Sequence, residues 1–215
     1  MIRTVREILS KDKTYYIAVS MGVDSIAAAH FLNNKGYRLI PIHFNHNLRD
    51  QNFVMMEKFL DFCTSIGLSG HIGIGNKLTT EKDCRNARLN FYSKIAKNGN
   101  VITAHHINDW VESYLLNCFR GQPNNNIFSL VSNFDSFSIL HPFLLTRKKD
   151  FKEYVERNHL TKYLVEDETN SIIKGSRRNW IRNFIIPQMK ENKLSLEKFA
   201  QRKIIELIAD IKQSI

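Results

Sequence analysis

The chain has 215 residues, of which 43% are hydrophobic and 24% charged, and its formal net charge is +10. This composition suits a globular domain with one core and excludes a disordered or fibrous chain. The N-terminus is too charged for a signal peptide, and no apolar run reaches the ~18 residues of a membrane span, so we expect a cytoplasmic protein without membrane contact.

Strand and helix signals alternate along the chain. Runs of β-branched and aromatic residues predict strands over 14–20, 37–46, 69–75, 100–106 and 137–143. Helices are predicted over 24–34, 50–67, 80–99, 108–121, 146–158, 177–190 and 195–213, with Thr80 as a cap. A polar loop is predicted over 122–136, where three asparagines mark a mobile segment. The order predicts the α/β class, a doubly wound and mostly parallel sheet with a C-terminal helical extension.

The turn after the first predicted strand reads SMGVDS over 20–25 and has the features of an anion site. Gly22 lets the backbone approach an anion, Ser20 and Ser25 supply hydroxyl groups, and the helix start supplies N–H groups. Asp24 would repel a phosphate unless a cation such as Mg²⁺ lay between them. A helix N-cap formed by Asp24 or Ser25 is the alternative. The spacing matches neither a Walker A loop nor the G-x-G-x-x-G fingerprint.

Polar side chains also follow the second and fourth predicted strands. The segments concerned are HFNHNLR (43–49) and TAHHINDWVE (103–112), the second of which holds His105, His106, Asp109 and Glu112. Ligands of parallel α/β sheets bind at the carboxyl ends of the strands, where these segments should meet the first turn. Each residue alone could be a cap, a surface charge or a hydrogen-bonded histidine, but together they indicate a site.

Basic residues concentrate in the last third of the chain, since residues 147–215 hold 16 of the 31 lysines and arginines. Such a cluster suits binding to a phosphate backbone. A solvated, lysine-rich helix surface explains the charge equally well.

The three cysteines, Cys63, Cys84 and Cys118, lie far apart and form neither a C-x-x-C pair nor a cluster at zinc spacing. We interpret them as buried thiols, with a redox or metal role as the alternative.

Several of these segments, in the same order along the chain, resemble the tRNA(Ile)-lysidine synthases, which belong to the N-type ATP pyrophosphatases with a PP-loop. The matching blocks are SMGVDS (20–25), HFNHNLR (43–49), NARLNFY (86–92), AHHINDWVES (104–113), HPFL (141–144), EDETN (166–170) and RRNWIRNFIIP (177–187). The resemblance covers residues 14–187 and implies an adenine nucleotide alpha hydrolase-like fold.

The resemblance implies a ligase that uses ATP and Mg²⁺. Such enzymes adenylate the C2 oxygen of the wobble cytosine in a CAU anticodon of tRNA(Ile), and the ε-amine of L-lysine then displaces AMP to give lysidine. It also implies a PP-loop domain over 1–145 and a basic helical extension over 146–215 that contacts tRNA. The oligomeric state stays open, with a homodimer as one alternative.

The resemblance also carries residue roles. For the nucleotide they fall on Ser20, Met21, Gly22, Val23, Asp24 and Ser25, with Mg²⁺ on Asp24. For lysine they fall on Asp109, Glu112 and Arg88, and for tRNA on His46, Asn47, Arg49, Arg178, Asn179 and Arg182. The catalytic set is Asp24, Arg88, His105 and Asp109, where His105 serves phosphate contact or proton transfer. Without the resemblance, the sequence predicts that Arg88 and the basic residues near Trp180 are surface residues.

The chain departs from the family pattern at several positions. Met21 replaces the first glycine of the S-G-G-x-D-S motif and would add bulk near the nucleotide, and Asn108 replaces an aspartate of the D-D pair. Trp110 and His141 are further differences. The family's C-terminal tRNA-binding domains have no counterpart here, which predicts a short form. The alternatives are a tRNA-binding relative with impaired catalysis and another tRNA-modifying ATP pyrophosphatase, such as a cytidine 2-thiolase.

Overall fold

The computed structural model describes residues 1–47, 51–123, 127–165 and 177–213, and gives no side chains for residues 51 and 52. It contains one six-stranded sheet. The strands are β1 (Thr14–Ala18), β2 (Arg38–Asn45), β3 (His71–Ile74), β4 (Gly99–Ile102), β5 (Val131–Phe134) and β6 (Phe137–Leu140). Their spatial order is β3-β2-β1-β4-β6-β5, and every neighbouring pair is parallel except β5–β6.

Helices cover the sheet and extend beyond it. They are α1 (Val23–Asn34), α2 (Gln51–Ser65), α3 (Glu81–Ile95), α4 (Ile107–Phe119), α5 (Lys148–Arg157), α6 (Arg177–Trp180), α7 (Ile186–Glu191) and α8 (Glu197–Gln213). A π-helical turn, Ile181–Ile185, joins α6 to α7.

Alternating side chains of β1 serve opposite faces of the sheet, as its period of two requires. Tyr15 and Ile17 lie in a core cluster with residues of α1, α2 and α5. Tyr16 and Ala18 pack against a second cluster that includes Tyr92 of α3. Helices therefore cover both faces, and the α/β class with a mostly parallel sheet is confirmed.

The C-terminal helices pack on the sheet-bearing part of the chain. A third cluster joins Trp110 of α4 to Ala200 and Ile204 of α8. Trp110 is fully buried, and its ring stacks on Tyr114. The substitution at Trp110 thus contributes to the hydrophobic contact between α4 and α8.

Local signals set the helix ends. Thr80 caps α3 in a capping box with Asp83, as predicted. Gly36 and Gly67, just beyond α1 and α2, adopt left-handed backbone angles of +77° and +70°.

Two predicted elements were wrong in part. The predicted loop over 122–136 contains β5, which forms an antiparallel hairpin with β6 in which Phe134 stacks on Phe137. The asparagines at 124–126 lie outside the described residues. The helix predicted over 177–190 contains the π turn, because Pro187 has no N–H to donate to the preceding turn.

Among the described residues, no helix is both long enough and apolar enough to cross a membrane.

Candidate active site

The strand order places a crevice between the carboxyl ends of β1 and β4. β1 pairs with β2 on one side and with β4 on the other. The strands up to β3 are therefore added on one side of β1, and the strands from β4 onward on its other side. Such a switch point is where parallel sheets bind ligands. We call the site formed there by residues 20–25 and 103–109 the strand-end crevice.

Met21 has a left-handed backbone with φ of +62°, which is uncommon for a residue with a side chain. Its side chain is fully buried in the main core cluster. Its carbonyl accepts a hydrogen bond from the N–H of Val165 at 3.0 Å. The expectation that Met21 adds bulk beside the nucleotide is therefore wrong, since the turn directs the side chain into the core.

Gly22 is the N-cap of α1, and no side chain caps this helix end. Neither Asp24 nor Ser25 is therefore the cap. Gly22 has an extended backbone, and a Cβ there would come no closer than 3.6 Å to Ser20 Oγ. None of the described residues requires glycine here, and the space beside Gly22 is available to a ligand.

The hydroxyl of Ser25 is committed to the turn. Ser25 Oγ donates to the carbonyl of Gly22 at 3.0 Å and accepts from the N–H of Ser20 at 3.1 Å. The Ser20 and Ser25 hydroxyls lie 3.1 Å apart, and only Ser20 is exposed. Ser25 therefore shapes the turn, whereas Ser20 keeps a hydroxyl accessible from solvent.

Asp24 points towards two cations. Its Oδ2 lies 3.5 Å from His106 Nε2 and 3.6 Å from Lys148 Nζ, while its Oδ1 is buried without a hydrogen-bond partner among the described residues. Although burial opposes ionisation, His106 and Lys148 lower the pKa of Asp24. Burial likewise opposes the charged form of His106, but the carboxylates of Asp24 and Asp109 raise its pKa.

Asp109 and His106 form the capping box of α4. The N–H of His106 donates to Asp109 Oδ2 at 3.0 Å, and His106 Nδ1 accepts from the N–H of Asp109 at 3.3 Å. Asp109 thereby ties the start of α4 to the strand-end crevice.

Glu112 lies one turn further along α4 and is almost fully buried. Arg182 holds it with two hydrogen bonds of 2.8 and 2.7 Å, and also lies 3.9 Å from Asp109 Oδ1. Arg178 Nη2 donates to Ser113 Oγ at 2.6 Å. Both arginines, predicted as tRNA contacts, therefore bind α4 in this structure, and their contact with tRNA stays a prediction.

Asn108 has a structural role in place of the aspartate of the family pattern. Its Oδ1 accepts a hydrogen bond from the N–H of Lys148 at 2.9 Å, in the first turn of α5. This contact holds α5 beside α4 and so fixes the position of Lys148.

His105 lies just after β4 and shares a hydroxyl with His141. Thr103 Oγ1 lies 2.9 Å from His105 Nδ1 and 2.7 Å from His141 Nδ1, and the two ring nitrogens are 3.3 Å apart. Burial lowers the pKa of His105, and burial together with the charge of His105 lowers the pKa of His141 to about 3.

The remaining predicted residues are less directly connected to the crevice, and some lie outside the described residues. Arg88, on α3, is half-buried and adds to the effect of burial in lowering the pKa of His46 and His105. His46 is half-buried, Asn47 is exposed, and Asn179 is half-buried beside Trp180. Arg49 and the block over 166–170 lie outside the described residues.

A family model described as the PP-loop domain matches residues 1–189. The chain belongs to the PP-loop family. The architecture is the adenine nucleotide alpha hydrolase-like fold that the sequence predicted.

Two bacterial proteins illustrate what this PP-loop chain is similar to. It is 30% identical over 213 residues to the tRNA(Ile)-lysidine synthase of Lactobacillus gasseri, with 93% of this chain and 49% of that protein covered. It is 32% identical over 198 residues to the tRNA(Ile)-lysidine synthase of Staphylococcus aureus strain MRSA252, with 84% and 45% covered. The chain therefore spans about half the length of the curated relatives it matches.

A solved structure shares the PP-loop fold. The U34-tRNA thiolase NcsA from Methanococcus maripaludis, which carries a 4Fe-4S cluster, aligns with a TM-score of 0.71 at 15% identity, covering 95% of this chain and 77% of that one. At this identity the likeness shows the fold alone.

The residues of the PP-loop fit a magnesium ion. Mg²⁺ in nucleotide sites is held by one or two carboxylates together with substrate phosphates. Asp24 offers a buried Oδ1 without a hydrogen-bond partner among the described residues. In that part of the chain, no group of three or more His, Cys, Asp or Glu residues is placed to hold a metal by itself.

A basic cavity of about 560 Å³ opens beside the PP-loop. It is lined by Asn108, Glu112, Arg147, Lys148, Lys149, Lys152, Arg182, Ile186, Lys190 and Glu197. Glu112 pairs with Arg182 and Glu197 with Arg147, so the remaining lysines leave a positive excess. Lys148 belongs both to this basic cavity and to the surroundings of Asp24.

An aromatic patch lies on the surface between α4 and α6. It consists of Phe119, Trp180 and Phe184, all exposed, with ring centroids 5.8 and 6.1 Å apart. Trp180 stacks on Phe184 and is tilted relative to Phe119, and the three exposed rings together form a surface on which bases can stack.

Sequence reasoning missed Lys148, Thr103 and the partner role of His141. The run RKK over 147–149, at the start of a predicted helix, was the available signal for Lys148. The cysteine interpretation was correct for Cys63, whose pKa burial raises to about 12, whereas Cys84 and Cys118 are only partly buried.

Proposed function

We propose that this chain is a tRNA(Ile)-lysidine synthase, which uses ATP to join L-lysine to the wobble cytosine of a CAU anticodon. The observation that carries the proposal is the meeting of Asp24 and Asp109 at one strand-end crevice, bridged by His106. The first carboxylate suits the metal of a nucleotide, and the second suits the ammonium group of an amino acid. The match to lysidine synthases over most of the chain supports the same assignment.

The first step is adenylation. The C2 oxygen of cytosine attacks the α-phosphorus of ATP, the bond from this phosphorus to the bridging oxygen breaks, and pyrophosphate leaves. The N–H groups in the first turn of α1 and the ammonium of Lys148 stabilise the charge that develops on the phosphates. Arg88 adds a planar guanidinium that suits bidentate phosphate contact. A bound Mg²⁺, held by Asp24, would neutralise phosphate charge.

The second step needs lysine close to the adenylated base. Glu112 is already satisfied by Arg182, whereas Asp109 lies 3.9 Å from the same guanidinium. We therefore assign the lysine ammonium to Asp109, and give Glu112 the role of holding Arg182 beside it. The ε-amine attacks C2, and the C2–O2 bond breaks to release AMP.

The basic cavity and the aromatic patch support RNA as the macromolecular substrate. Lys149, Lys152 and Lys190 lie in the cavity wall and form no ion pair within the described residues, so they suit phosphate neutralisation. Trp180 is 39% exposed and packs between Phe119 and Phe184, as a base-stacking side chain should.

A cytidine 2-thiolase is the second candidate, because a tRNA thiolase shares the fold. The cysteines do not favour it. Cys63 lies on α2, Cys84 on α3 and Cys118 on α4, and among the described residues no cysteine belongs to a group placed to hold a metal.

An RNA-binding relative without catalysis was the other alternative, motivated by Met21 and Asn108. The Met21 side chain lies in the core, and Asn108 fixes the start of α5 beside Asp24. Neither substitution obstructs the strand-end crevice, so both are compatible with activity.

One assay separates the three candidates. The purified chain is incubated with ATP, Mg²⁺, labelled lysine and a tRNA with a CAU anticodon, and the RNA nucleosides are analysed by mass. Label in the RNA, with the mass of lysidine, is the expected result. Binding of tRNA without ATP-dependent transfer would instead identify the inactive relative, and a sulfur-containing nucleoside in the presence of a sulfur donor would identify the thiolase.

A further inference from the structure

Thr103, His105 and His141 form a closed triangle of hydrogen-bonding atoms at the end of β4. All three sides are short, at 2.7, 2.9 and 3.3 Å. His141 stands at the position of an arginine in the family's R-P-L-L element, so this arrangement is a feature of the present chain. Phe128 packs against both imidazoles, with ring centroids 5.0 and 5.6 Å away.

The number of protons fixes how the triangle is bonded. Thr103 has one hydroxyl proton, so it can donate to only one of the two Nδ1 atoms and must accept from the other. The imidazole that accepts has a bare Nδ1, and the one that donates has a protonated Nδ1. The two neutral rings therefore hold opposite tautomers.

The two distances differ, and we assign the direction from that difference. We place the donating Thr103 hydroxyl on the shorter contact, 2.7 Å to His141 Nδ1, and the donating ring N–H of His105 on the longer contact of 2.9 Å. His105 then carries its proton on Nδ1, and its Nε2 is bare. Among the described residues, no hydrogen bond engages this Nε2.

The charges around the pair keep both rings neutral near pH 7. Asp109 favours the protonated form of His105, whereas Arg178, His106 and Arg88 oppose it, and burial is the largest effect and lowers its pKa. The neighbouring His105 also opposes protonation of His141. A neutral His105 with a bare Nε2 is a proton acceptor.

We propose that Thr103 and His141 are positioning residues, which hold His105 as the Nδ1-protonated tautomer so that its Nε2 accepts a proton from the lysine ε-ammonium. The use of that proton acceptor rests on the proposed function. The ammonium transfers one proton to Nε2, the neutral amine forms a bond to C2 of the adenylated cytosine, and the C2–O2 bond breaks with its electron pair leaving on AMP. The nitrogen now bound to C2 releases its second proton to the phosphate oxygen of the departing AMP. We therefore assign proton transfer, and not phosphate contact, to His105.

The tautomers are measured directly in the full chain labelled with ¹⁵N-histidine, by two-bond ¹H–¹⁵N correlation spectra. His105→Gln and His141→Asn assign the two rings. We expect a protonated Nδ1 on His105 and a protonated Nε2 on His141. Thr103→Val, which removes only the hydroxyl, should abolish this preference, and Thr103→Ser should retain it.

The same matched pair of variants is then tested for lysidine formation. Thr103→Val should lower kcat by about tenfold or more, with a KM for ATP within about twofold of the original, because general base catalysis is worth 10²–10⁴-fold in all. Thr103→Ser should restore the rate, and the acidic limb of the pH–rate profile should shift in Thr103→Val alone. Thermal unfolding confirms that each variant is folded.

Identical tautomers in the two rings, or an unchanged His105 tautomer in Thr103→Val, would overturn the inference. If the unmodified chain makes no lysidine, the proposed function fails, while the spectra still decide the positioning. If Thr103→Val does not fold, His141→Asn decides instead, since it removes the His141 ring while leaving the Thr103 hydroxyl in place. In that variant an unchanged His105 tautomer with an unchanged rate would equally overturn the inference.

Discussion

The strand-end crevice and the basic cavity lie side by side but have opposite electrostatic needs. In the crevice, Asp24 is largely enclosed, and one of its carboxylate oxygens has no hydrogen-bond partner among the described residues. In the cavity, Lys149, Lys152 and Lys190 are exposed, and none of them pairs with a carboxylate in the described part of the chain. The first region can take a further cation at the Oδ1 of Asp24, and the second attracts an anion.

Lys148 connects the two regions, since it lines the cavity and lies 3.6 Å from Asp24. Under the proposed function, a nucleotide with its metal would bind in the crevice, and a nucleic-acid backbone would bind at the cavity. We therefore expect substitutions to separate catalysis from RNA affinity, although Lys148 belongs to both regions.

The largest effect is expected from Asp24→Asn. Loss of the carboxylate removes the proposed metal ligand, so lysine transfer should fall by about 10³-fold or more, while tRNA affinity stays within about twofold. Transfer is measured with labelled lysine, and affinity by filter binding. Glu206→Gln, a change at an exposed ion pair, is the control. Equal loss of transfer and affinity would show that the two regions are not separable.

Substitutions in the basic cavity should have the opposite effect, weakening tRNA binding without changing ATP binding. Replacing Lys149, Lys152 and Lys190 together by alanine should weaken tRNA binding by about tenfold and flatten its salt dependence, because each lost phosphate contact removes ~0.7–0.9 from the slope. ATP binding should be unchanged.

The matched control replaces Lys11, Lys13 and Lys97 by alanine. These lysines are exposed and precede β1 and β4, so they lie at the amino ends of the parallel strands. Both triple variants change the net charge equally. If the control weakens tRNA binding as much, net charge and not the cavity determines the affinity.

Much of the fold could be predicted because it depends on local patterns. The alternation of apolar strands with capped helices identified the sheet, and Thr80 and Gly36 marked helix ends. The strand β5 was missed because its four residues, VSNF, are too short to give a period. Its pairing with β6 depends on the hairpin contact between Phe134 and Phe137.

The site was predicted less completely because its contacts are distant in sequence. Asp24 meets Lys148, and Glu112 meets Arg182, across separations that no local pattern reports. The motif blocks placed Asp24 and Glu112 near the crevice. Their charged partners are known only from the structure, because they depend on how α5 and the π turn pack against α4.

The third prediction concerns whether Met21 belongs to the crevice or to the core. Met21→Gly relieves a left-handed backbone, worth ~1–2 kcal/mol, but removes a fully buried side chain, worth ~2–5 kcal/mol. Urea denaturation should therefore show a net loss of about 1–3 kcal/mol. Met21→Leu, which conserves volume, should lose less.

ATP affinity gives the complementary measurement for Met21. Because its side chain points into the core cluster, Met21→Gly should leave ATP affinity within about twofold. A clear gain in affinity would show that the methionine limits access to the strand-end crevice after all.

The smallest expected effect is a pH dependence of stability that depends on His106. The carboxylates of Asp24 and Asp109 raise the pKa of His106 above its ordinary value of 6.5, against the effect of burial. Its contribution to stability is therefore fully present below pH 6.5 and is lost as the pH rises through the raised pKa. His106→Asn keeps an acceptor for the N–H of Asp109 but does not titrate, whereas protonated His106 gives up that acceptor; the comparison therefore measures the ion pairs of His106 net of the lost cap.

The difference in unfolding free energy between the original chain and His106→Asn should thus shrink above pH 6.5. Other histidines do not obscure this, because burial lowers the pKa of His43 and His141, so they change their charge in the folded state below that pH and are common to both proteins. A difference that stays constant from pH 6 to about 9 would mean that the charge of His106 contributes nothing, and that its ring serves only as the helix cap.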